Sequence, residues 1–195
     1  MTYDQIREKP VDGETIHYGI LLGNETIVFI KAGADGDIYG YQNKYLHMAR
    51  RLHERMGATV VCASNPYIEE GHIDADKSVI AQIASERSSG AYAVHYIGTS
   101  DGAYHNLVLA RAIPQSDRYL GINTSFIHLE DFTNKLQQLS GVKKTLVYGD
   151  LDEEYACLSV LGTLPIENLD IVTIPGADHR FSGMTEEFVM LSDLL

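Results

Sequence analysis

Apolar and polar positions along this 195-residue chain switch between two periods. Two short apolar runs, residues 15–22 and 26–30, have strand character. The Gly23-Asn24-Glu25 between them predicts a hairpin. Residues 41–56 change period: apolar side chains at 41, 45, 48, 49, 52 and 56 recur at helical spacing, and Gly57 supplies a stop. A short buried strand is predicted at 58–63. A helix follows at 73–89, with Ile73, Val79, Ile80, Ile83 and Ala84 mostly on one face. The rest continues the alternation. Strands are predicted at 91–97, 119–124, 144–148 and 169–174, and helices at 103–112, 129–139, 153–161 and 184–195.

After the opening hairpin the order is strand, helix, strand, helix. That order predicts the α/β class: a mostly parallel twisted sheet with helices on both faces. No internal repeat, low-complexity tract or linker interrupts residues 1–195, so a single domain is expected. In such sheets ligands bind beyond the carboxyl ends of the strands, so chemistry is sought in the residues just after each strand.

Composition narrows the function classes. Apolar residues make up 45% and charged residues 22%, as in an ordinary soluble protein. The 15 basic and 27 acidic residues leave a net charge of −12 with no Lys/Arg-rich run, so no nucleic-acid partner is expected. No segment approaches the roughly 18 uninterrupted apolar residues of a membrane helix. Residues 1–10 lack the apolar stretch of a secretory signal, so a cytoplasmic location is expected. Cys62 and Cys157 form neither a disulfide framework nor a metal pattern, and Cys62 reads as a buried thiol. His17, His47, His53, His72, His95, His105 and His128 show no metal spacing and read as structural or solvated, with His105 pointing away from the turn that precedes its helix. Neither a dinucleotide glycine fingerprint nor a phosphate-loop lysine is present, so no metal or cofactor is expected.

The candidate chemistry begins at Gly98-Thr99-Ser100-Asp101-Gly102, a G-x-S-x-G pentapeptide between a predicted strand and a predicted helix. A serine on so tight a turn is held in strained backbone geometry with its hydroxyl pushed outward. Two further groups also follow strands. Asp150 and Asp152 stand in Tyr148-Gly149-Asp150-Leu151-Asp152, and His179 stands in Gly176-Ala177-Asp178-His179. A serine hydroxyl is a poor nucleophile at neutral pH. An imidazole can take its proton and return it to a leaving group, and a carboxylate fixes the imidazole's tautomer.

The chain order Ser, Asp, His, with each residue after a strand, resembles that of α/β-hydrolase enzymes from about residue 26 to the C-terminus. The resemblance implies a minimal α/β-hydrolase fold with catalytic Ser100, His179 and Asp152. Asp152 is favoured over Asp150 by the G-x-x-D turn in which relatives often carry the acid. It also implies an oxyanion hole built from two backbone amides. One is that of Asp101, after the nucleophile, and the other that of Ala34 in the loop Lys31-Ala32-Gly33-Ala34-Asp35-Gly36. Relatives commonly have His-Gly where this chain has Ala32-Gly33, which leaves Gly33 and Asp35 as alternatives to Ala34. Only 51 residues separate Ser100 from Asp152, too few for an inserted cap domain, so an open, lidless site is expected. The implied activity is hydrolysis of an ester, thioester or similar small acyl compound. Transfer of the acyl group to another acceptor, or a non-catalytic ligand-binding role, is the alternative. Tyr39, Tyr41 and Tyr45, close to the Ala34 loop, read as helix packing in preference to pocket lining. Asp35 and Asp37 read as turn residues.

Overall fold

A computed structural model of the chain describes residues 2–68, 70–88, 90–125 and 129–195. One sheet carries the strands β1 (Gln5–Val11), β2 (Glu14–Leu21), β3 (Asn24–Lys31), β4 (Ala58–Ala63), β5 (Ala93–Thr99), β6 (Ser116–Ile122), β7 (Lys143–Gly149) and β8 (Leu169–Ile174). Their spatial order is β1-β2-β4-β3-β5-β6-β7-β8. Pairing is antiparallel from β1 through β2 to β4 and parallel everywhere else. The helices are α1 (Lys44–Met56), α2 (His72–Arg87), α3 (Asp101–Ala112), α4 (Leu129–Gln138), α5 (Leu158–Leu161) and α6 (Thr185–Met190). No helix among the described residues is long and apolar enough to cross a membrane.

The central strands are apolar on both faces because helices cover both. In β3, Ile27 and Phe29 join Val79, Ile83, Leu107 and Phe132 from α2, α3 and α4. Val28 and Ile30 point the other way and join Leu46, Met48, Leu52 and Phe188 from α1 and α6. Each such side chain contributes roughly 1.5–3 kcal/mol by leaving water. The continuous apolar run of β4, buried along its whole length, follows from the same two-sided cover.

Strand order reverses at β3. The chain leaves β3 through α1 to reach β4 on one side, then through α2 to reach β5 on the other. The carboxyl ends of β3 and β5 therefore diverge into loops and leave a crevice between them, which is where such sheets bind ligands. The Ala34 loop and Ser100 stand on its two sides.

Four sequence expectations need correction. Residues 15–22 and 26–30 are strands, but they do not pair with each other, because β4 lies between them. The Gly23-Asn24 connection arches over the start of β4, where the Asn24 amide donates to the Gly57 carbonyl at 2.7 Å. A Cβ at Gly23 would stand 2.2 Å from that same oxygen. The hairpin of this chain is instead β1–β2, closed by Asp12-Gly13 with φ of 49° and 83°, the signature of a type I′ turn. β1 escapes the hydrophobic pattern because it is an exposed edge carrying Pro10. The helix expected over 41–56 begins at Lys44, after a 3₁₀ turn in which Gln42 and Asn43 take left-handed φ values of 53° and 57°. The expected helices 153–161 and 184–195 are each half 3₁₀ turn and half short α-helix. The predicted end of the 73–89 helix, Ser89, lies outside the described residues, as does His128.

Candidate active site

The two glycines of Gly98-Thr99-Ser100-Asp101-Gly102 are required by close backbone approaches. A Cβ at Gly98 would lie 2.3 Å from the Ala103 Cα of α3, and one at Gly102 would lie 2.1 Å from the Ala32 carbonyl oxygen. With both side chains absent, α3 starts directly against β5 and the Ala34 loop. Ser100 itself is driven to φ 51°, ψ −124°, a costly region for a residue with a Cβ. Its amide donates to the Ile122 carbonyl at 2.9 Å, which ties the turn to β6.

The structure brings Ser100, His179 and Asp152 into one chain of hydrogen bonds. His179 Nε2 lies 3.0 Å from Ser100 Oγ, and His179 Nδ1 lies 2.9 Å from Asp152 Oδ2. A carboxylate only accepts, so Nδ1 carries the ring proton and the bare Nε2 faces the serine hydroxyl. The Asp152 side chain is fully buried, whereas that of His179 is 37% exposed and reaches the cleft. Asp152 Oδ1 also accepts the Glu154 amide at 2.9 Å, which holds the carboxylate's rotamer. Asp150 takes a different role: its Oδ1 accepts the Gly176 amide at 2.7 Å and staples the ends of β7 and β8.

The Ala34 loop lies against the serine, with a Cβ position at Gly33 only 3.4 Å from Ser100 Cβ. Most of its amides are already engaged. That of Ala32 donates to Ala63, that of Asp35 to Asn65 and that of Gly36 to Gly33. The Gly33 amide acts on the Tyr45 hydroxyl, favouring its ionised form against the larger effect of burial. Among the described residues the Ala34 and Asp101 amides donate to no other group, and Ala34 lines the cleft beside Ser100 and His179. The Asp101 side chain is drawn away, accepting from Asn65 Nδ2 at 2.9 Å.

The cleft encloses about 610 Å³. Tyr41 and Tyr45 line it, correcting the expectation that these tyrosines only pack a helix, while Tyr39 stacks on Tyr3 at 5.4 Å. The left-handed pair Gln42 and Asn43 separates Tyr41 from the α1 face and leaves it exposed at the cleft. Burial pushes the Tyr45 phenol upward in pKa, so it stays neutral while its hydroxyl meets Thr99 Oγ1 at 2.7 Å. A second cleft of about 770 Å³ between α1 and α6 shares Gly183 with the first but contains none of the three hydrogen-bonded residues.

Asn123 is a residue that sequence reading misses. It follows β6 on the same sheet edge, with φ 44°. Its Nδ2 donates to the carbonyls of Asp178 and His179, both at 3.0 Å, and its Oδ1 accepts the Gly149 amide at 2.9 Å. One side chain thus fastens the histidine loop to the end of β7. An asparagine directly after a central strand, on the edge that carries the other candidates, was the available signal. Asn123→Asp keeps the acceptor for Gly149 but sets carboxylate oxygens against two carbonyls. Because a misplacement near 1 Å costs about 10²-fold, kcat toward a simple ester is expected to fall by that order in Asn123→Asp, with KM far less affected. Steady-state kinetics on the variant checks this.

His105 does turn from Ser100. It packs against His72 with ring centroids 4.6 Å apart, and burial lowers its pKa to about 4. The Cys62 thiol is buried and pushed up to about 12. No group of three or more metal-ligating side chains occurs among the described residues.

No family model matches the sequence, and no curated protein matches it. Solved structures do match. An α/β serine hydrolase homologue from Coxiella burnetii superposes with a TM-score of 0.74 at 17% identity, covering 98% of this chain and 97% of that one. Est1E from Butyrivibrio proteoclasticus gives 0.69 at 14% identity over 97% and 96%. A lidless α/β serine hydrolase from Xanthomonas campestris gives 0.68 at 17% identity over 98% and 93%. Between Ser100 and Asp152 the described residues are taken up by α3, β6, α4 and β7, with no inserted lid. The chain therefore has the α/β-hydrolase fold, in its minimal form without a lid.

Proposed function

We propose that this protein is a serine hydrolase acting on an ester, thioester or similar small acyl compound. The observation that carries the reading is the unbroken run from Asp152 through His179 to Ser100, at 2.9 and 3.0 Å, opening into a cleft. Ser100 Oγ attacks the acyl carbonyl while His179 Nε2 takes its proton. Asp152 stabilises the imidazolium that forms and keeps its Nδ1–H in place. The negative charge gathering on the carbonyl oxygen falls to the Asp101 and Ala34 amides, each worth roughly 2.7–4 kcal/mol in the transition state. His179 then protonates the leaving group. Water, entering the open cleft, repeats the cycle on the acyl-enzyme and frees Ser100.

Among the described residues no lid covers the cleft, so bulk water, the most abundant acceptor, reaches the acyl-enzyme. The fold neighbours are consistent with this reading, since they include an α/β serine hydrolase and an α/β serine hydrolase homologue. Labelling with a fluorophosphonate tests it: the probe is expected to modify the wild-type protein at Ser100 and not Ser100→Ala. A folded wild-type protein that takes no label points to a non-catalytic binding role. Release of acid from p-nitrophenyl esters of graded length, unchanged by added alcohols, separates hydrolysis from transfer.

A further inference from the structure

The charged side chains lining the cleft are all of one kind. Lys44 and Arg180 face it beside the neutral His179 imidazole, with no Asp or Glu among its lining residues, although acids outnumber bases 27 to 15 in the chain. Lys44 opens α1 and lies half-buried. Its Nζ sits 4.2 Å from the Phe188 ring centroid and 5.6 Å from that of Tyr45, and it donates to the Arg180 carbonyl at 3.2 Å. An ammonium has three protons to donate. Among the described residues no carboxylate lies within ion-pair distance of Lys44 or of Arg180.

The nearby acids are committed elsewhere. Asp178 Oδ1 accepts the amides of Arg180 and Ser182 at 3.0 and 2.9 Å, and Asp37 Oδ1 accepts those of Tyr39 and Gly40 at 2.9 and 2.6 Å. Burial lowers the Lys44 pKa to about 8. A cation partly stripped of water, on which Asp178 acts only from beyond ion-pair distance, is destabilised, and an anionic group arriving in the cleft relieves that cost.

We propose that the cleft selects acyl compounds bearing a second, anionic group, held by the Lys44 ammonium with the Arg180 guanidinium at the rim. The inference rests on the hydrolase reading and adds a substrate class to it. The anion can sit on the acyl part or on the leaving group, and two ester pairs distinguish them. For the acyl side, p-nitrophenyl hydrogen adipate is compared with p-nitrophenyl adipamate, its neutral amide. For the leaving-group side, 4-acetoxybenzoate is compared with 4-acetoxybenzamide. Rates are normalised to hydroxide-catalysed hydrolysis of each ester.

The readout is the ratio of kcat/KM, charged over neutral, so a general loss of activity cancels. A ratio of about 10- to 100-fold is expected in at least one pair, the range set by a hydrogen bond to a charged group. It should collapse toward unity in Lys44→Met and in Lys44→Gln, which keeps a donor for the Arg180 carbonyl, and return in Lys44→Arg. Ratios near or below one in both pairs overturn the proposal. So does a ratio that survives loss of the Lys44 charge, which marks Lys44 as a scaffold for the histidine loop. Calorimetric titration with adipate and with adipamide reads the same subsite without turnover. If no ester is hydrolysed, the hydrolase reading falls. The subsite then stands on adipate binding that needs Lys44, and falls if adipate and adipamide behave alike.

Discussion

Ser100→Ala and His179→Ala should each lose on the order of 10⁶ in kcat toward a short p-nitrophenyl ester, and the double variant should lose no more than either. The reason is the geometry of the pair. In the proposed mechanism the hydroxyl is a nucleophile only while Nε2 stands 3.0 Å away to take its proton, so removing either partner disables both. What remains is the residual acceleration of the oxyanion amides and of binding. Asp152→Asn should cost less, about 10⁴, because the hydrogen bond is then made by the wrong tautomer. An asparagine amide can donate to Nδ1, which moves the ring proton to Nε2 and leaves nothing to accept from Ser100. Steady-state rates on the three single variants and the double variant decide the matter. Losses that multiply in the double variant, or a Ser100→Ala protein within tenfold of wild type, would remove the catalytic assignment.

The largest effect on stability is expected at Lys31, behind the site. Lys31 and Asp76 are both almost completely buried, with Nζ 3.0 Å from Oδ2. Tyr18 donates to the other carboxylate oxygen at 2.8 Å, and His72 Nδ1 lies 3.4 Å from the ammonium. This pair joins the end of β3 to α2 beneath the Ala34 loop. Lys31→Met removes the cation and strands the carboxylate in the core. Breaking a buried pair from one side costs about 3–5 kcal/mol, which in a chain of this length lowers Tm by roughly 10 °C. Lys31→Met/Asp76→Asn should regain much of that loss, since the amide oxygen still accepts from Tyr18 and no charge remains. Urea unfolding of the two variants measures the free-energy loss and its recovery, and thermal unfolding the Tm shift. A single variant within 1 kcal/mol of wild type would mean that the pair's mutual attraction barely exceeds its dehydration cost.

Much of the site is legible in the residues because its parts lie in local motifs. Gly98 and Gly102 announce a turn too tight for side chains, and the structure supplies the obstructing atoms: the Ala103 backbone and the Ala32 carbonyl. The family resemblance favours Asp152 over its rival Asp150 through the G-x-x-D turn, and the coordinates give the two aspartates different partners, an imidazole for one and a backbone amide for the other. Asn123 is invisible to the same reading because its function is to meet two loops from distant parts of the chain, 55 and 56 residues away. Tyr41 is misjudged because two left-handed residues, Gln42 and Asn43, break the helical period that its position in sequence suggests. The opening hairpin is misplaced for a related reason. Gly23-Asn24-Glu25 is a sound turn signal, but β4 is apolar on both faces and must sit inside the sheet, so it displaces β3 from β2.

Local chemistry in the sequence determines most of the segments that become strands and helices, the tight turn around Ser100, and which three side chains stand just beyond strand ends. Period, glycine sterics and the donor–acceptor character of a residue act over a few positions and are therefore readable in one dimension. Tertiary structure alone decides strand neighbours, the loop amides left free beside Ser100, and the convergence of Lys44 and Arg180 on one cleft with no acid among its lining residues. Those outcomes depend on how burial and hydrogen-bond demand are shared among segments far apart in the chain, and no local window contains both partners.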